Sequence, residues 1–311
     1  MTARGVALVV RQEFRVRLRT GRWRWLLGSY VVVILLFTLL LDMALTDTTE
    51  PHGVPLFGGL MLFVLALVLI ISPALTAQSI NGDRERGTLA TLQVTRLSAS
   101  EIAVGKLLAG WGVGLAALAL TLPFVGWAIL EGGMTLARTF VVLVVVGLLI
   151  GVVCAISLGL SALLARSITS ALLSYVAVFA LTVGTVVAFG LMAGAIGGSR
   201  APAKVWWMIA PNPFVVLADA APSLPPVRDG TGHYVPQPAD PLGEMGRSIR
   251  QMREPDYYDY EYEGDTRRPE PGPVWPYGLT FDLLLGATAV TVAARRLRTP
   301  ADRLPRGVRV A

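Results

Sequence analysis

A chain of 311 residues that is 54% hydrophobic and 15% charged, with a mean hydropathy of +0.60, lacks the quarter or so of charged residues usual in soluble domains and reads as an integral membrane protein. The net charge of +6 does not point to nucleic acid, because the basic residues are spread over loops flanking apolar runs, the pattern of topology control. Cys154 lies alone in an apolar run and His52 and His233 fall in loops without ligand-like spacing, which excludes a disulfide framework and a cysteine metal site within one chain and leaves both histidines to solvent.

Residues 1–24 hold seven arginines (Arg4, Arg11, Arg15, Arg17, Arg19, Arg22 and Arg24) against Glu13 alone, which places them on the cytoplasmic side. Val6, Val9, Val10 and Phe14 make one helical stripe, and Arg4, Arg11, Arg15 and Arg22 cluster on another. An interfacial amphipathic helix is expected; a basic tail binding anionic lipid is the alternative. The first span covers residues 25–41, bounded by Trp23, Trp25 and Asp42, and no A-x-A cleavage pattern follows it. Residues 43–55 contain Asp47 and Glu50 but no Lys or Arg, as a short outside loop should.

The second and third spans cover residues 56–75 and 107–130, each long enough for about 30 Å of hydrocarbon. Gly132 and Gly133 break the chain in an outside turn, residues 140–164 form the fourth span, Arg166 marks a tight inside turn, and residues 172–193 form the fifth. Gly147 and Gly151, a GxxxG pair, predict close helix packing. Residues 194–275, with eight basic and eleven acidic residues, form a long extracytoplasmic loop placed by counting spans. Paired Trp206 and Trp207 favour the interface, and Pro211 and Pro213 argue against a further uninterrupted crossing. Tyr257, Tyr258, Tyr260 and Tyr262 alternate with acids over 256–265; a solvated flexible insertion is the expectation and a cation or partner site the alternative. The sixth span, within residues 276–297, is the weakest, and the tail 298–311 returns to the basic side. Of 27 Lys and Arg, 18 lie on that side, and apart from the long loop only Arg138 lies outside.

The charged loop 78–106 lies between spans two and three. Thr88, Leu89, Leu92 and, less regularly, Val94 form the apolar side of a short helix behind Arg84, Glu85 and Arg86. Ser98 followed by Glu101 reads as a capping box that starts span three, and Lys106 is the last charge before lipid. This loop resembles that of permease subunits of type-2 ABC exporters, through Glu85, Gly87, Thr88, Leu89, Leu92, Thr95, Ser98, Glu101, Ile102, Gly105 and Lys106. It departs from the family at Ala90, often Glu, at Arg96, where Pro is common, and at Asp83, often Glu. The resemblance implies an all-α membrane protein with an N-terminal elbow helix over 1–24, spans one to five and the coupling loop within 25–193, and re-entrant or interfacial helices with an Asn-Pro element after span five. It further implies a cytoplasmic coupling helix, in which Asp83, Glu85, Gly87, Thr88, Leu89 and Leu92 contact a separate ABC ATP-binding subunit. A second permease copy or paralogue and membrane lipid are the other implied partners.

The span interiors carry no Lys, Arg, Glu or His, and Asp282 is their one acid, which disfavours an ion-driven carrier. Gly105-Lys106 is followed by Leu107 and no phosphate-binding G-x-x-x-x-G-K-[ST] loop occurs; Gly110-Trp111-Gly112-Val113-Gly114 lies inside a span and is not one either. No catalytic constellation stands out, so the chain is expected not to be an enzyme and to hold no cofactor, ATP being used by the partner subunit. The expected function is that of an exporter permease in a bacterial plasma membrane, both termini cytoplasmic. The alternative is a non-transporting scaffold or sensor with an extracytoplasmic partner-binding loop.

Overall fold

Apolar segments without water to satisfy their backbone must bond within themselves, and helices are the solution available to single segments. The computed structural model describes residues 2–19, 22–45, 52–87, 97–224, 239–254 and 272–298. Among these residues there is no strand, and six helices are long and apolar enough to cross a membrane. A first helix, α1 (Ala3–Arg19), precedes them. Span one is α2 (Arg22–Leu45), and span two is α3 (Gly53–Thr76), which runs through a turn into α4 (Asn81–Glu85). Span three is α5 (Ala99–Leu120) continued by α6 (Leu122–Leu130), the break falling at Thr121 beside Pro123, which has no N–H to donate. Span four is α7 (Leu136–Leu163). Span five joins α8 (Ser167–Phe179) to α9 (Thr185–Ile196) through a π turn, Ala180–Gly184. After α10 (Ala201–Val205), a 3-10 turn (Trp206–Met208), α11 (Pro213–Ala220) and α12 (Pro241–Arg253), the chain closes with span six, α13 (Trp275–Leu297). Span six is the least hydropathic of the six, at 1.4 against 2.1 or more.

Spans two and four are central, with 61% and 67% of their apolar windows buried, whereas span one has 17% and span five none. Leu56, Phe57, Leu60, Met61 and Leu65 meet Val142, Val146, Leu149 and Ile150 in the main core. The Gly147–Gly151 face receives Trp111 of span three: its Nε1 donates to the Gly147 carbonyl at 2.7 Å, and a Cβ at Gly151 would lie 3.2 Å from that nitrogen. Span six packs on span four where Gly159 abuts Ala289. Several hydroxyls inside the spans bond back to their own helices, as Thr38 does to the Ile34 carbonyl and Thr76 to that of Ser72.

The long segment after span five is more structured than its composition suggests. Asn212 caps α11 by accepting from Phe214 N, with Pro213 at the first helical position. Its amide also donates to the Thr182 carbonyl at 2.6 Å and to Thr185 Oγ1, supplying a donor to the π turn of span five. The Asn-Pro element therefore meets span five about 20 Å along the helix from Ile196. Helix α12, unforeseen in the sequence, buries Leu242 and Ile249. The Tyr-rich stretch 256–265 and His233 lie outside the described residues.

Asp219 ties this cap together. Its fully buried carboxylate accepts from Arg250 Nε at 2.6 Å and from the backbone N–H groups of Val274 and Trp275 at 2.6 and 2.7 Å, so it joins α11 to α12 and caps span six. Arg138, buried at the start of span four, donates to the Pro222 carbonyl and to Asp240. At the same end, His52 is not solvated as the sequence suggested: its Nε2 lies 3.1 Å from Glu131. Asp219→Ala leaves one guanidinium and two helix-terminal N–H groups without their acceptor. Its thermal unfolding in detergent should show a loss of about 3 kcal/mol, part of which Arg250→Met returns in the double variant.

Candidate functional site

The described parts of the charged stretch, residues 83–87 and 98–106, and their neighbours form a polar junction at the basic end of the bundle, built around the start of span three. Ser98 holds extended backbone (φ −73°, ψ 152°), its hydroxyl accepts from Glu101 N at 3.3 Å, and Glu101 Oε2 accepts from Ser98 N at 2.8 Å, forming a reciprocal cap. The other oxygen of Glu101 accepts from Thr2 N at 2.5 Å and Thr2 Oγ1 at 2.9 Å. One buried carboxylate thus serves the N-termini of two helices, α5 and α1, where the helix dipoles favour negative charge.

About one turn on, Gly105 lets α1 lie directly on α5, since a Cβ there would sit 2.6 Å from the Cβ of Val9. The stripe Val6, Val9 and Phe14 consequently packs on span three, with Phe14 against Gly112 and Val6 and Val9 buried. Lys106, 1% exposed, lies beneath this contact and not at a lipid boundary. Its ammonium donates to Glu13 Oε1 and Asp83 Oδ2, each at 2.5 Å, and to the Ser79 carbonyl at 3.0 Å, using all three donors. Arg86 bonds the other oxygen of Asp83 at 3.0 Å.

The same stretch grips the turn between spans four and five. Arg84 donates to the Leu164 carbonyl at the end of α7, and Glu85 accepts from Ser167 N at the start of α8, both with the sign the helix dipoles favour. Ser161 Oγ accepts from the N–H groups of Ile80 and Asn81, and Ser170 Oγ donates to the Ala77 carbonyl at 2.8 Å. Gly87, at φ +69°, ends this segment in the left-handed conformation that glycine adopts without strain.

Of the residues the sequence assigned to a docking surface, Asp83 turns its carboxylate to the buried Lys106, Glu85 is exposed and accepts from Ser167 N, and Gly87 supplies a backbone stop. Thr88, Leu89 and Leu92 lie outside the described residues. Glu13 was missed because its partner is 93 positions away; the one hint was an acid alone among seven arginines.

Lys106→Met removes the ammonium that lies between Glu13 and Asp83, with an expected loss of about 3 kcal/mol and faster hydrogen exchange across α1. Adding Glu13→Gln and Asp83→Asn to the same chain should restore most of the stability, measured by thermal unfolding. Compared with family models and with curated proteins, the chain gives no match.

Proposed function

We propose that this chain is the membrane-spanning permease subunit of an ATP-binding-cassette transporter, an exporter in a bacterial plasma membrane. In this reading the stretch 83–106 takes up the movement of a separate ATP-binding subunit on the cytoplasmic side. The observation that carries the proposal is the double anchoring of that stretch. Asp83, Arg84 and Glu85 bind it to spans three, four and five, while Glu101 and Lys106 bind it to α1 and to the end of span two. A force applied between these anchors reaches four spans and α1 together, as transmission from an external motor requires.

The surroundings support the reading. The apolar outer faces of spans one and five are free for lipid or a second permease copy. Leu8 and Val16 are exposed beside Arg11 and Arg15 on the outer side of α1, the combination an anionic lipid surface takes up. ATP is hydrolysed on the partner, since the sequence offers no phosphate-binding loop.

Affinity purification in mild detergent, with neighbouring open reading frames co-expressed, should bring down a Walker-A ATPase. Leu89→Asp and Leu92→Asp should each weaken that association more than about tenfold, through the cost of placing a carboxylate in an apolar contact, while leaving the chain in the membrane. Gly87→Asp is a poorer test, because its positive φ makes any side chain there a backbone perturbation. Full association of both leucine variants overturns the proposal.

A further inference from the structure

At the end of the bundle opposite the polar junction, three elements deliver one ligand-type side chain each. Asp42 lies in the last turn of span one, His52 immediately precedes span two, and Glu131 ends span three. One ligand atom from each lies within 4.8 Å of the others. The backbone explains the meeting of His52 and Glu131: Gly53 approaches the carbonyls of Ala128 and Gly132 so closely that no side chain fits there. Trp127 Nε1 donates to Glu131 Oε1 at 3.2 Å, which orients the carboxylate and leaves Oε2 facing the imidazole.

Two observations point to a bound cation rather than to an ion pair alone. Asp42 Oδ1 is buried without a hydrogen-bond partner, an unmatched acceptor on a residue of the cluster. Among the described residues the charge is also unbalanced. Residues 42–55 contain no Lys or Arg, and Arg138, the one basic residue of the neighbouring turn, is committed to Asp240 and the Pro222 carbonyl. Two carboxylates therefore face a single imidazole.

We propose that Asp42, His52 and Glu131 form a binding site for a first-row divalent cation, with zinc as the best fit, that fastens span one to spans two and three. An imidazole with two carboxylates and no thiolate suits zinc or its transition-metal neighbours, whereas calcium and magnesium sites are built from oxygen ligands. The 3.1 Å between His52 and Glu131 is close to the edge of about 3.3 Å that ligand distances of 2.0–2.1 Å give a tetrahedron. Rotation of the Asp42 side chain closes the rest, and the fourth position stays open to water or a further donor. The site gives the loosely packed first span a fixed attachment, and it stands whether or not the chain is a permease.

The test uses the full chain purified in detergent through a tag without histidine and stripped with a chelator. Zinc titration against a competing chromophoric chelator should show one ion per chain, and zinc should raise the midpoint of thermal unfolding. Cobalt(II) in its place should give the visible bands of a low-coordinate N/O site. Asp42→Asn and His52→Ala should each lower zinc affinity by more than about tenfold and abolish the thermal shift, while His233→Ala changes neither. The variants' unfolding without metal, unchanged from the parent, separates lost ligands from lost fold. Absence of stoichiometric zinc binding, or binding that survives Asp42→Asn and His52→Ala together, overturns the site.

Discussion

The ammonium of Lys106 is the interaction on which the basic end of this protein depends. A buried cation is tolerated only where its hydrogen-bonding capacity is filled and its charge met, and here Glu13, Asp83 and the Ser79 carbonyl do both. Those three acceptors come from α1 and from the continuation of span two, while the lysine belongs to span three. The requirements of one charge therefore fix three elements relative to one another. Glu101, at the start of the same helix, repeats the arrangement with the opposite sign by holding the N-terminus of α1, so α1 is attached at two points along span three.

Carboxylates at helix N-termini recur through the molecule. Glu101 serves α1 and α5, Glu85 serves the start of span five, and Asp219 serves the start of span six. The physical reason is common to all three. The first N–H groups of a helix have no partner within it, and where other elements cover a helix end, water cannot supply one. Because each of these carboxylates reaches a helix start remote in sequence, satisfying the helix end also sets the tertiary arrangement.

The six spans and the start of span three were legible in the sequence. Crossing a membrane is decided by summed hydropathy over some twenty residues, a property of a contiguous segment, and the Ser98–Glu101 cap is a contact between residues three apart. The apolar stripe of α1 was legible for the same reason, although only the fold shows that part of it faces span three and not lipid. Helix α12 escaped notice because its apolar positions are few and its surroundings are rich in proline, glycine and charge, so its stability comes from packing on α11 and not from its own sequence.

By itself, then, the sequence determined that six segments are long and apolar enough to cross a membrane, which end of the bundle is basic and where a charged loop interrupts the spans, because local sums of apolar and basic residues decide all three. Only the tertiary structure decided that Lys106 belongs with Glu13 and Asp83, Arg138 with Asp240, Asp219 with Arg250 and His52 with Glu131. A lone charged or ligating side chain carries no information about its partner. That is settled only when helices packed by their apolar faces bring distant polar groups into one small volume.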